Sequence, residues 1–164
     1  GEAQSAAVIL AASGAYQLGE VLRAEARLRA AGIAAGVVYV GEPGRLRSGR
    51  DEREAAYVLS DAELLRHFPT ARPRVFLTHT RPEAYLGALR RIDTGPDTTR
   101  ALGFINRGGT LDVPGLLFAN RCTWAHATAA ALAVLGLPED TVLTMDECAA
   151  LAGHGDPRVI TRPS

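Results

Sequence analysis

The sequence predicts an α/β domain of three layers, in which four mainly parallel strands in the order 2-1-3-4 lie between two layers of helices. The first observation is the apolar run Ala7–Gly14, which is typical of a strand buried on both faces of a parallel sheet. The second is the alternation of helical and strand patterns after it, which favours βαβ units. At 164 residues the chain has the length of one domain, so we expect residues 1–164 to fold as a single unit.

The composition excludes several classes of function. Eighteen basic and eighteen acidic residues give a formal net charge of zero, which argues against a nucleic-acid-binding surface. Every one of these basic residues is Arg, so the chain has neither a Schiff-base lysine nor the lysine of a phosphate-binding loop. No apolar run reaches the roughly 20 residues of a membrane-spanning helix, and no secretory leader is apparent, so we expect no membrane partner and a cytoplasmic location.

The first part of the chain predicts one right-handed βαβ unit. Apolar residues recur at helical spacing over Tyr16–Ala31, and Gly32 is placed to end this helix. A second apolar run at 33–40 predicts the next strand, which the Gly-Glu-Pro-Gly sequence at 41–44 ends. Two strands joined in this way by a helix are expected to be parallel neighbours.

A strongly charged segment at 45–53 then predicts a solvated excursion. Its basic side chains either form an anion site or are neutralised within the segment, and the interleaved Asp51 and Glu52 favour neutralisation. The basic residues concerned are Arg45, Arg47 and Arg50.

The second part of the chain predicts two more strands and the helices between them. The strands are expected at Arg74–Thr80 and Ala101–Asn106, and Pro82 suits the first turn of a helix that runs to about Arg91. Residues 107–110 contain two glycines and predict a turn, which a short helix at Val113–Ala119 follows.

Two capping boxes mark the starts of short helices. The first, Ser60–Glu63, predicts a helix that ends at His67, where a cationic side chain is favourable for the helix dipole. The second, Thr144–Glu147, predicts a terminal helix to about Ala152. From Gly153 onward the composition predicts a loop or an extended strap.

Polar residues and glycines follow three of the predicted strands. In an open parallel sheet, ligands bind outside the carboxyl ends of the strands, where the strand order reverses. If the first strand is central, Gly14 and His79 face one crevice at this edge. The residues around this crevice would offer a hydroxyl, an imidazole, a guanidinium and backbone N–H donors, which suit an anion. Each residue also suits a turn or a helix cap. The candidate ligand-binding residues are Ser13, Gly14, His79, Asn106, Arg107 and Gly108.

No complete catalytic or metal-binding motif is present in the sequence. Ser13 lacks the glycines of a nucleophile elbow, and the glycine pattern of dinucleotide-binding folds is missing after the first strand. Cys122 and His126 are four residues apart, but two ligands make a weak metal site, and a packed or hydrogen-bonded histidine is favoured. We expect Cys122 and Cys148 to be free, slowly reacting thiols.

The last long helix is apolar on nearly all sides. Thr123 suits its N-cap, the helix is predicted at Trp124–Leu135, and Gly136 ends it. Six of these twelve residues are Ala, so no wide polar stripe faces water, and we expect another copy or a partner to cover this face or the adjoining apolar segment. The candidate association residues are Leu116, Leu117, Phe118, Trp124 and Ala130.

Three long stretches resemble a family of thiamine diphosphate enzymes. Residues 7–40 resemble the opening of the C-terminal domain of the transketolase superfamily. Residues 60–91 and 101–136, with the run Asn120–His126, are more specifically similar to the last domain of phosphoketolases. The turn Arg81–Ala84 departs from the aromatic-rich turn of phosphoketolases, which puts an interdomain contact of the family in doubt there.

The resemblance implies a non-catalytic C-terminal domain, or a separately encoded subunit, of an enzyme that acts on sugar phosphates or related ketol donors. The parent enzyme would use thiamine diphosphate and Mg. This chain would bind neither, because the family's Gly-Asp-Gly motif is replaced by Gly155-Asp156-Pro157 near the end of the sequence. The implied partners are the thiamine-binding domains of the same enzyme or of a partner subunit, in a homo- or hetero-oligomer.

Two other functions stay open at this point. One is a self-sufficient module that binds or responds to a small anion in the crevice near Gly14, His79 and Arg107. The other is an independent hydrolase.

Overall fold

The structure, a computed structural model, describes residues 2–162 and confirms the predicted fold class. Four parallel strands form one sheet in the predicted order, β2-β1-β3-β4. The strands are Val8–Ser13 (β1), Ala35–Tyr39 (β2), Arg74–Thr78 (β3) and Thr99–Leu102 (β4).

Helices cover both faces of the sheet. They are Glu2–Ser5 (α1), Ala15–Ala30 (α2), Glu52–Ala55 (α3), Asp61–His67 (α4), Pro82–Leu89 (α5), Val113–Ala119 (α6), Trp124–Leu135 (α7), Met145–Leu151 (α8) and Arg158–Thr161 (α9). Short 3-10 turns occur at Pro43–Leu46 and Glu139–Thr141.

Strand β1 lies in the middle of the fold, and all six of its residues are buried. Successive side chains of a strand point to opposite faces of the sheet, so β1 contributes to two cores. Val8, Leu10 and Ala12 pack with α2 and α7 in the first core. Ile9 and Ala11 pack with α4 and α5 in the second. The unbroken apolar run of β1 therefore reflects burial on both faces.

The predicted helix boundaries hold where a local signal sets them. Both capping boxes are present, with the hydroxyls of Ser60 and Thr144 accepting hydrogen bonds from the backbone three residues later. Gly32 and Gly136 follow α2 and α7 with φ of 78° and 68°, in the left-handed region where glycine carries no steric cost.

The last two strands are shorter than predicted. β3 ends at Thr78, and β4 begins two residues early and ends at Leu102. Beyond β4 the chain keeps one bond to the sheet edge, from Phe104 N to Thr80 O at 3.0 Å. Asn106 then has a φ of 58°, which is incompatible with a strand.

Two terminal segments differ from the sequence predictions. Helix α1 was not predicted, and the tail after Gly153 contains α9 instead of being entirely extended. The α9 residue Ile160 is fully buried in the first core, which explains why this segment folds back onto the domain. Residues 163 and 164 of the tail lie outside the described range.

The charged segment is neutralised within the chain, but by a different acid from those predicted. Arg47 and Arg50 both pair with Glu54, and hydrogen bonds from these two guanidinium groups hold the pKa of Glu54 well below its usual range. Asp51 instead caps α3 by accepting a bond from Glu54 N. Arg45 donates from Nε to the Tyr57 carbonyl at 3.0 Å.

Candidate functional site at the carboxyl edge of the sheet

The structure brings Ser13, Gly14 and His79 together at the carboxyl ends of β1 and β3. Ser13 is paired with Thr78 in the sheet, so the residues that follow them, Gly14 and His79, are neighbours. His79 donates from its backbone N to Ser13 O at 3.2 Å, and its Nδ1 lies 3.0 Å from the same oxygen. Because a carbonyl can only accept, Nδ1 carries the hydrogen and Nε2 is left for other contacts.

Asn106, Arg107 and Gly108 are held instead against the end of α6. The Asn120 amide accepts from Arg107 N at 2.9 Å and donates to Arg107 O at 2.8 Å. Gly108 has a φ of 103°, and a side chain there would meet Leu111 at 3.0 Å. These two hydrogen bonds fix the Arg107 backbone beside the end of α6, and none of the hydrogen bonds given for residues 106–108 joins them to Ser13, Gly14 or His79.

The first turn of α2 adds a residue that sequence reasoning missed. Gln17 is only 6% exposed, and its side-chain oxygen lies over Gly14, so close that a Cβ at Gly14 would be within 3.0 Å of it. His79 Nδ1 would be 3.2 Å from the same Cβ. The sequence gives one signal for Gln17: it is a polar residue in the first turn of a helix whose first turn contains no acidic residue.

The start of α7 is closed by a carboxylate from α2. Glu20 Oε2 accepts a hydrogen bond from Trp124 N at 2.6 Å, and its other oxygen pairs with Arg23 at 3.2 Å. Thr123 occupies the N-cap as predicted, but its hydroxyl makes no capping bond and lies 2.7 Å from His126 Nδ1. A distant acid therefore performs the capping that the sequence assigned to Thr123.

His126 is a packed, hydrogen-bonded histidine, as predicted. Its ring contacts Phe118 edge to face, with the ring centres 5.4 Å apart. Burial, with a smaller effect from the positive charge of Arg121, lowers the pKa of His126 to about 4. The imidazole is therefore neutral at pH 7.

Both cysteines are free thiols, as predicted. Cys122 is buried, and burial raises its pKa to about 12, although a helix start nearby would act in the opposite direction. Its thiol donates to the Asn120 carbonyl at 3.3 Å. Burial first, and then the neighbouring carboxylates, also raise the pKa of Cys148. Neither thiol is an activated nucleophile.

A cavity of about 430 Å³ lies beside this edge, between α2, α6, α9 and the start of α7. Its walls are mainly apolar, with Glu20 and Arg23 as charged members that already pair with each other. The residues that line the cavity include Ala15, Tyr16, Val113, Leu117, Thr123 and Ile160.

The predicted association residues are one buried residue and four half-buried ones. Trp124 is 3% exposed, donates from Nε1 to Ile160 O at 3.1 Å and lies under the guanidinium of Arg27 at 4.7 Å. It is covered within the chain, so it does not belong to a surface that a partner could reach. Ala130 is half-buried. On α6, Leu116, Leu117 and Phe118 are also half-buried, and this helix has no fully buried residue.

Within residues 2–162, no group of three or more His, Cys, Asp or Glu side chains is arranged to hold a metal ion. None of the helices in that range combines the length and the apolar character needed to cross a membrane. Neither a protein-family model nor a curated protein matches the chain.

Proposed function

We propose that the chain is a non-catalytic C-terminal domain, or a separately encoded subunit, of a thiamine diphosphate-dependent enzyme of the transketolase or phosphoketolase type. The parent enzyme acts on sugar phosphates or related ketol donors, and this domain supports the assembly of the domains that hold the cofactor. The observation that carries the proposal is the partly exposed apolar helix α6.

Helix α6 has the composition of a core helix without the burial of one. Its sequence, VPGLLFA, contains no polar side chain, yet Val113 is 39% exposed and the preceding Leu111 is 49% exposed. Apolar side chains that cluster on one surface mark a contact with another protein more often than scattered ones do. The contact proposed here is with the thiamine-binding domains, which the sequence resemblance implies as partners.

The chemistry of the carboxyl edge supports a non-catalytic role. Ser13 is 2% exposed, and burial above all raises the pKa of its neighbour Tyr85 to about 12. The Cys122 thiol stays protonated for the same reason. Among the residues that the structure describes, the Thr123 hydroxyl lies 2.7 Å from His126 Nδ1, but Thr123 is buried at 2% exposure, where a substrate would not reach its hydroxyl.

The experiment is purification of the tagged chain from its native cells, followed by an assay of sugar-phosphate cleavage in the eluate. We expect activity that depends on added thiamine diphosphate and Mg. The α6 variant Val113→Arg should lower the recovered activity at least about tenfold, since a charge buried in an apolar contact is strongly unfavourable.

The matched control is Leu65→Arg, because Leu65 is 50% exposed on α4, on the opposite layer of the domain. It should leave the recovered activity unchanged. An eluate without cofactor-dependent activity would contradict the proposal, and so would equal losses in both variants. The isolated chain should show no saturable binding of thiamine diphosphate and Mg by calorimetry.

A further inference from the structure

We propose that the free edge of strand β2 pairs with the same edge of a second copy of this chain, so that the two four-stranded sheets join into one continuous sheet. This inference goes beyond the proposed role in assembly and does not depend on what covers α6. It rests on the unpaired backbone groups of β2, on the absence of charge along this edge and on the fit of the strand to its own inverted copy.

Strand β2 lies at one edge of the sheet, where β1 is its neighbour. Val40 N donates to Ala12 O at 2.8 Å, so the even-numbered residues of this segment direct their backbone groups toward β1. Because successive residues of a strand alternate, the odd-numbered residues Ala35, Val37 and Tyr39 direct theirs away from the sheet. No hydrogen bond joins the backbone N–H or C=O groups of these three outward residues to another residue within 2–162.

The opposite edge of the sheet, strand β4, is less open to pairing. It has only four residues, and the loop before it folds back onto its first residue, with Thr99 N donating to Gly95 O at 2.8 Å. Arg100 adds a charge to the strand. Natural edge strands avoid pairing by being short, charged, interrupted by proline or covered. By contrast, residues 30–41, which contain β2, include neither a charged residue nor a proline.

The sequence of β2 fits its own inverted copy. A two-fold axis at Val37 places this residue opposite itself and Ala35 opposite Tyr39 of the second copy, which uses all three outward residues. Each such pair of an antiparallel ladder exchanges two hydrogen bonds. Tyr39 is 54% exposed, and in this register its ring covers the small alanine and reaches Val37 of the second copy diagonally.

These features favour a second copy over an unrelated chain as the occupant. An interface around a two-fold axis needs one surface that complements itself. The outward residues of β2 meet this need, since a large side chain faces a small one and no like charges lie opposite each other.

The first experiment is analytical ultracentrifugation of the full chain from about 1 to about 500 µM. We expect a reversible equilibrium between monomer and dimer with a micromolar dissociation constant, because pairing along one short strand buries little surface. Val37→Pro removes an outward N–H and no hydrogen bond to β1, so it should weaken dimerisation at least about tenfold.

The matched control is Ala101→Pro on the other edge strand. Arg74 N donates to Thr98 O at 2.8 Å, so by the same alternation Ala101 directs its N–H away from β3. The control thus makes the same change at an outward residue of β4, and it should dimerise as the parent chain does.

Cysteine cross-linking tests the register. Val37→Cys should form an intermolecular disulfide under mild oxidation, because the Cα atoms of a hydrogen-bonded antiparallel pair lie about 5.5 Å apart. Tyr39→Cys is the matched control, since this position is exposed but lies opposite Ala35 and not opposite its own copy. It should give no cross-link above the background that the parent chain shows with Cys122 and Cys148.

A concentration-dependent dimer that weakens in Val37→Pro, persists in Ala101→Pro and cross-links through Val37→Cys supports the proposal. If Val37→Pro does not fold, the comparison of the two cysteine variants decides. The proposal is overturned if the parent chain is a monomer at every concentration, if the two proline variants dimerise equally, or if Val37→Cys cross-links no faster than Tyr39→Cys.

Discussion

Helices α2 and α7 pack side by side on the same face of the sheet, yet they begin in opposite ways. At the start of α7, Glu20 accepts the Trp124 N–H at 2.6 Å, so the chain supplies its own negative charge. At the start of α2, Gly14 has no side chain, and no acid follows it in the first turn.

The difference is that a side chain from elsewhere in the fold stabilises one helix start, whereas no side chain caps the other. Glu20 belongs to α2, so this helix closes the start of its neighbour while its own start stays open. A start that a side chain closes gains its stabilisation when the chain folds, whereas the N–H groups of an uncapped start are left to water. Perturbing the two starts separately should therefore give different responses.

The largest expected effect concerns pH at the start of α7. Burial chiefly lowers the pKa of His126 from 6.5 to about 4. The unfolded chain therefore binds more protons between these values, and stability falls as the pH decreases through this window. For the parent chain we expect a loss of about 2 to 3 kcal/mol from this residue between pH 7 and pH 4, measured by urea unfolding.

His126→Gln should remove this part of the pH dependence. The exposed His154 is the control, so His154→Gln should keep the slope of the parent chain. If the parent and His126→Gln lose stability in parallel down to pH 4, the start of α7 is not the pH-sensitive element.

The second effect tests the backbone at the start of α2. Gly14→Ala should destabilise the chain by about 2 kcal/mol, because its φ of 114° is strained for alanine and the new Cβ would collide with the Gln17 amide. Gly19 lies in the interior of the same helix with no neighbour within 4 Å of a Cβ. Gly19→Ala should therefore stabilise the chain by up to about 1 kcal/mol.

Thermal or urea unfolding of these two variants measures both changes. We expect the change in the free energy of unfolding to have opposite signs for Gly14→Ala and Gly19→Ala. Equal stabilisation by both would show that Gly14 is not constrained and that the Gln17 side chain is free to move away.

The smallest effect tests the carboxylate that closes α7. Glu20→Ala should cost about 1 kcal/mol, since it removes the acceptor for Trp124 N and the partner of Arg23. Glu83→Ala is the control, because Glu83 is an exposed acid in the first turn of α5 and should contribute less than about 0.5 kcal/mol. Denaturant midpoints at pH 7 give the comparison, and equal costs would remove the distinction between the two helix starts.

Features that depend on neighbours within a few residues could be predicted from the sequence alone. The apolar run of β1 predicted a central strand, since only a strand covered on both faces tolerates such a run. The capping boxes at Ser60 and Thr144 predicted helix starts, because each is a contact across three residues. The strand order and the meeting of Gly14 with His79 followed from the rules for parallel sheets.

Which polar groups are buried, and what they contact, depends on elements that meet only in the folded chain. Arg74 looks like the charged end of a strand, but it is 1% exposed and donates to the carbonyls of Pro69 at 2.8 Å and Ile92 at 3.0 Å. Glu20 caps a helix that begins 104 residues later. Gln17 is buried because its helix, α2, packs against β1 and β3. No pattern along the chain predicts this burial, since it depends on elements that are distant in sequence.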